Sequence, residues 1–106
     1  MAIVAVSIAP TGVGTSVGEH VAHALRVLEQ QQEVRFELGP MFTTLEGDLR
    51  AIFDLILEMQ EAVFAGGVTR VATVIKVDDR RDRTVRMEDK VARVRRLLAE
   101  DEADSS

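Results

Sequence analysis

Residues Val34–Asp48, VRFELGPMFTTLEGD, decide the fold. Val34–Leu38 alternates apolar and charged side chains, the period of two that a half-buried strand shows. Gly39-Pro40 then turns the chain straight into a second strand, so the pair reads as an antiparallel hairpin. Along that second strand Phe42, Thr44 and Glu46 share one face, and Met41, Thr43 and Leu45 share the other. Gly47 ends it, and Asp48 stands where the N-cap of a following helix belongs. Thr43, Thr44 and Glu46 also occupy positions that hydrophobic patterning alone would fill with apolar residues, which marks Pro40–Asp48 as the candidate small-molecule site.

On either side of the hairpin the pattern is that of one strand and one helix. Leu49–Ala65 carries Leu49, Ile52, Phe53, Ile56, Met59 (or Gln60) and Val63 in steps of three and four, a helix that Gly66-Gly67 stops. Val68–Asp78 follows as the longest strand, with Val71, Thr73, Ile75 and Val77 on one face and Arg70, Ala72, Val74, Lys76 and Asp78 on the other. Upstream, Ala2–Ala9 is a buried strand in which Val4, Val6 and Ile8 outsize Ala5, Ser7 and Ala9. Ser16 and Glu19 form a capping box, and Val21, Ala24, Leu25 and Leu28 recur at helical spacing behind it. Met87, Val91, Val94 and Leu98 mark a third helix, and residues 99–106 are expected to be a disordered acidic tail after a single domain of residues 1–98.

This order, strand, helix, strand, strand, helix, strand, predicts an α+β ferredoxin-like βαββαβ sandwich with a C-terminal helix added. Its four-stranded antiparallel sheet runs fourth, first, third, second, with both main helices on one side and the other face bare. Parity puts Ser7, Phe42, Thr44, Glu46, Val74 and Lys76 on the bare face, and a single bulge would exchange Thr44 for Thr43. A patch so mixed in polarity points to an interface with another copy that encloses a small polar pocket.

Composition removes several function classes. The 106 residues are 46% hydrophobic and 29% charged, which suits one ordinary globular domain. No apolar run is long enough to cross a bilayer and no basic leader opens the chain, so a cytoplasmic location and no membrane partner are expected. Without cysteine there is neither a thiolate metal site nor a CxxC heavy-metal motif. Without asparagine the acylphosphatase chemistry known on this scaffold is excluded. Of the net charge of -5, Glu100, Asp101, Glu102 and Asp104 account for most, and the nearly neutral remainder lacks Trp and Tyr, which argues against nucleic acid. Gly12 and Gly14 lack the spacing and lysine of a phosphate loop, and His20 and His23 lack a third metal ligand beyond Glu19. The cluster Arg93, Arg95 and Arg96 has two readings, contact with an anion or, the favoured one, complementing the helix dipole and pairing with the acidic tail.

Together, SIAPTGVGTSV at Ser7–Val17, GPMFTTLEGDL at Gly39–Leu49, RVATVIKVDDRRD at Arg70–Asp82 and MEDKVARV at Met87–Val94 resemble the small thiamine-binding protein family, the YkoF-related ferredoxin-like domains. The likeness runs from Ile3 to about Leu98. It implies a non-catalytic protein with no cofactor that binds thiamine or its hydroxymethylpyrimidine moiety near a subunit interface, in a homotetramer built as a dimer of dimers. It carries Ser7, Thr43, Thr44 and Glu46 over as ligand contacts and matches Lys76 and Asp78 to the family's last-strand motif; Phe42 would lie against the ring. Two alternatives stand beside it: a structural or regulatory homo-oligomer without a dedicated ligand, and an enzyme using Glu46 as acid or base.

Overall fold

The computed structural model describes residues 1–12 and 18–105, with side chains through residue 102. Its elements are β1 (Ala2–Pro10), α1 (Gly18–Glu29), β2 (Arg35–Leu38), β3 (Thr43–Gly47), α2 (Leu49–Ala65), β4 (Val71–Asp79) and α3 (Met87–Ser105). The strands form one antiparallel sheet in the order β2-β3-β1-β4, the ferredoxin-like order that the hairpin and its flanks predict. β1 and β3 are the two interior strands, and β1 buries Ala2, Val4 and Val6 on the helix side.

Register fixes what each face carries. Val4 pairs with Leu45 and Val77, while Ala5 pairs with Thr44 and Lys76, so the two sets point to opposite sides. On the helix side, Ala2, Val4, Val6 and Leu45 meet Ala24 and Leu28 of α1 and Ile52, Ile56, Met59 and Val63 of α2 in one core. Full burial of each large side chain there contributes roughly 1.5–3 kcal/mol. Phe53 drops out of the predicted α2 stripe and is 38% exposed, one step round the helix from Ile52 and Ile56.

Local chemistry sets the boundaries. The Asp48 carboxylate accepts the Ala51 N–H at 3.1 Å and caps α2 as expected. Gln31 closes the turn between α1 and β2: its amide donates to the Leu28 and Val34 carbonyls, and its oxygen accepts the Val34 N–H at 2.8 Å. At the hairpin tip, a Cβ on Gly39 would come within 2.5 Å of the Phe42 carbonyl oxygen, which accepts the Gly39 N–H. Only glycine closes that turn without moving the backbone.

Three expectations differ from what is found. The last strand begins at Val71 rather than Val68, and Val68 joins the core from the preceding connection. The third helix continues to Ser105, through Ala99–Asp104, where alanine and glutamate favour helix over coil. The open sheet face is not bare along its whole length: the start of α3 lies over Glu46 and buries Met87 to 7% exposure. Beyond Met87 every described side chain of α3 is exposed. The expected Ser16–Glu19 capping box lies outside the described residues. Among them, no helix is long and apolar enough to cross a membrane.

Candidate functional site

Glu46 sits at the junction of three elements. It is 1% exposed, although β3 offers it to the open face. Arg35 of β2, its cross-strand partner, donates to Oε1 at 3.2 Å, and Arg86, next to α3, donates to the same oxygen at 2.6 Å. The Met87 N–H reaches Oε2 at 3.2 Å, so the carboxylate also caps α3. Arg35 bonds Glu88 as well and draws the first turn of α3 down on the sheet. Glu46 thus holds α3 to the hairpin.

The other six candidate residues divide between two hollows. Thr44, Lys76 and Asp78 line a groove of about 330 Å³ on the open face, floored by Ile3 and Ala5 and walled by Met87, Lys90 and Val91 of α3. Glu37 completes it, opposite Thr44 in the β2–β3 register and without an ion-pair partner among the described residues. The Lys90 ammonium bonds the Asp78 carboxylate, and this hydrogen bond, with the charge behind it, holds the Asp78 carboxyl below the usual carboxylate range. The groove thus carries two carboxylates, two ammonium groups and a hydroxyl over an aliphatic floor. It is able to hold a flat, polar heterocycle and to bond its edge.

Ser7, Phe42 and Thr43 line a smaller cavity of about 110 Å³ under the hairpin tip, together with Val21, Leu25 and Met59 from the helices. Thr43 pairs with Val6 and so faces the helix layer, at 8% exposure. The parity reading of β3 holds for Thr44 and Glu46, which lie on the open side with no bulge between them, whereas Phe42, expected on that face, precedes β3 and lines the helix-side cavity instead.

Glu37, Lys90 and Val91 are not among the candidate site residues that the sequence offers. Glu37 was within reach, because a tight hairpin that sets Phe36 against Leu45 must set Glu37 against Thr44. Lys90 and Val91 were not, since nothing local says that α3 folds back over the sheet. His20 and His23 lie edge to face at 6.3 Å, and no group of three or more metal-ligating side chains occurs among the described residues.

Comparison with known proteins bears on the family and the fold. The family model described as thiamine-binding protein matches residues 4–95. The UPF0045 protein YqgV of Bacillus subtilis is 41% identical over 102 residues, covering 92% of this chain and 98% of its own length. The crystal structure of the hypothetical protein MJ1052 from Methanocaldococcus jannaschii superposes with a TM-score of 0.80 at 33% identity, over 88% of this chain and 94% of that one. A Thermotoga maritima protein proposed to act in thiamine biosynthesis or salvage shares the fold at a TM-score of 0.74 and 20% identity, over 88% of this chain and 97% of its own. With the match spanning β1 to α3, this chain belongs to the thiamine-binding protein family.

Proposed function

We propose that this protein is a non-catalytic binder of thiamine or its hydroxymethylpyrimidine moiety, with the open-face groove as its site and a second copy of the chain closing over it. The observation that carries the reading is the meeting of Thr44, Lys76 and Asp78 with the unpaired Glu37 around one groove of about 330 Å³. That volume suits a small heterocyclic ligand. In this reading the Glu37 carboxylate accepts from the exocyclic amine of the pyrimidine, and the Thr44 hydroxyl satisfies a ring nitrogen. Ile3 and Ala5 supply the apolar floor. Glu46 serves as a positioning residue that sets the α3 wall. Val74, 57% exposed on the same face, favours self-association there, in keeping with a homotetramer.

Calorimetric titration with thiamine and with hydroxymethylpyrimidine tests this. Glu37→Gln and Thr44→Val should each weaken binding by about 1–2 kcal/mol, the loss expected when one ligand hydrogen bond goes unmade. Wild-type affinity in both variants would remove the groove from the reading. A second reading places the pyrimidine in the cavity of about 110 Å³, because Ser7, Phe42 and Thr43 converge there. Thr43→Val would then lower affinity while Thr44→Val would not.

A further inference from the structure

The basic residues of this chain are not spread evenly. Nine of the thirteen lie between Lys76 and Arg96, in a chain whose net charge is -5. Five of them, Arg80, Arg83, Lys90, Arg93 and Arg96, line a second groove of about 780 Å³ between the β4–α3 connection and α3. Lys90, Arg93 and Arg96 follow one another at helical steps of three, so each neighbours the next on the surface of α3. The single carboxylate in the lining, Asp89, accepts the Arg86 N–H at 3.0 Å at the start of the helix. Asp82 neutralises Arg80 and Asp78 neutralises Lys90. Among the described residues Arg83, Arg93 and Arg96 have no carboxylate within ion-pair distance.

Three guanidinium groups around one concavity repel one another unless an anion lies between them, and their forked donors match phosphate oxygens. This groove adjoins the one assigned to the heterocycle, since Lys90 lines both. Lys76 and Asp78 stand on the near side of Lys90, and Arg93 and Arg96 continue from it along the helix. A ligand with a ring over Ile3 and Ala5 and a short anionic arm would follow that line.

Building on the function proposed above, we infer that the ligand is phosphorylated: a phosphate or diphosphate ester of the heterocycle, with its ring in the open-face groove and its phosphates across Lys90 against Arg83, Arg93 and Arg96. The helix N-terminus takes no part, because Glu46 already occupies the Met87 N–H.

The test is calorimetric titration of the full chain with thiamine, thiamine diphosphate and inorganic pyrophosphate, in wild type and in a double variant Arg93→Gln, Arg96→Gln. Both side chains are solvent-facing in α3, so the fold should stand, which circular dichroism checks. Wild type should bind thiamine diphosphate at least about tenfold more tightly than thiamine, an advantage that shrinks with added salt. The double variant should lose that advantage and keep its affinity for thiamine. Equal affinities in wild type would overturn the phosphate arm while leaving the thiamine reading intact. Binding of pyrophosphate that depends on Arg93 and Arg96, with no binding of thiamine, would uphold the anion site and remove the heterocycle. If pyrophosphate does not bind and the double substitution instead lowers the sedimenting mass, the arginines face the acidic helix end of another copy, and the inference fails.

Discussion

At the residue scale, Glu46 shows how one buried carboxylate can be structural in a place that sequence reading marks as functional. A strand position facing an open sheet invites a ligand contact, yet Arg35, Arg86 and the Met87 N–H between them use both oxygens. The two arginines are about half exposed, so solvent screens them, and the larger share of the coupling lies with the buried carboxylate and its bond to the helix start. Glu46→Ala should therefore lower stability by about 1–3 kcal/mol, leaving two arginines and a helix N-terminus unsatisfied. Urea unfolding measures this directly. Any loss of ligand affinity in the variant should accompany a displaced α3, visible as altered amide shifts at Val91. A variant of native stability with weakened binding would instead return Glu46 to direct ligand contact. The sequence could not disclose this arrangement: Arg86 and Glu46 are 40 residues apart, and such a pair leaves no periodic trace.

At the element scale, what was legible followed from short-range rules. The period of two put Thr44 and Lys76 on one face, the steps of three and four found the stripe Ile52, Ile56, Met59 and Val63, and Asp48 announced α2. The tertiary course of α3 was illegible, because its heptad-like Met87, Val91, Val94 and Leu98 says which side is apolar but not what it covers. Two exposed ion pairs help to hold its first turns down, Glu88 with Arg35 and Asp78 with Lys90. Each hydrogen bond keeps its carboxyl below the ordinary range. A depressed native value means that the stabilisation is complete above the unfolded-state value and fades as pH falls through the native one. Acidification from neutral to about pH 3 should thus loosen α3 before the body, since unfolded carboxyls titrate near about 4. Amide hydrogen exchange would show α3 losing protection while α2 keeps it. Simultaneous loss in both helices would mean that these pairs do not govern the docking.

At the scale of the whole molecule, the described chain extends 55 × 31 × 20 Å with a radius of gyration of 16.6 Å, where a compact chain of this length has about 13 Å. The excess is α3, nineteen residues that leave the sheet after one buried methionine. Val94 and Leu98 stand 55% and 57% exposed on it, although most helical stability in proteins comes from packing such an apolar face. A helix with an uncovered apolar stripe beside a partly uncovered sheet face fits a chain that associates with its own kind, and the two surfaces adjoin at Val91 in the wall of the groove. Sedimentation equilibrium should therefore give a mass that is a multiple of 11.7 kDa, and a double variant Val94→Asp, Leu98→Asp should return it to one chain. Neither residue is in the core, so thermal unfolding of the separated chains should stay cooperative. If the partner also closes the ligand groove, thiamine affinity must fall on dilution through the association range and fall in the variant even when saturated with ligand-competent protein. Affinity that is independent of protein concentration would separate the two surfaces and leave the groove complete within one chain.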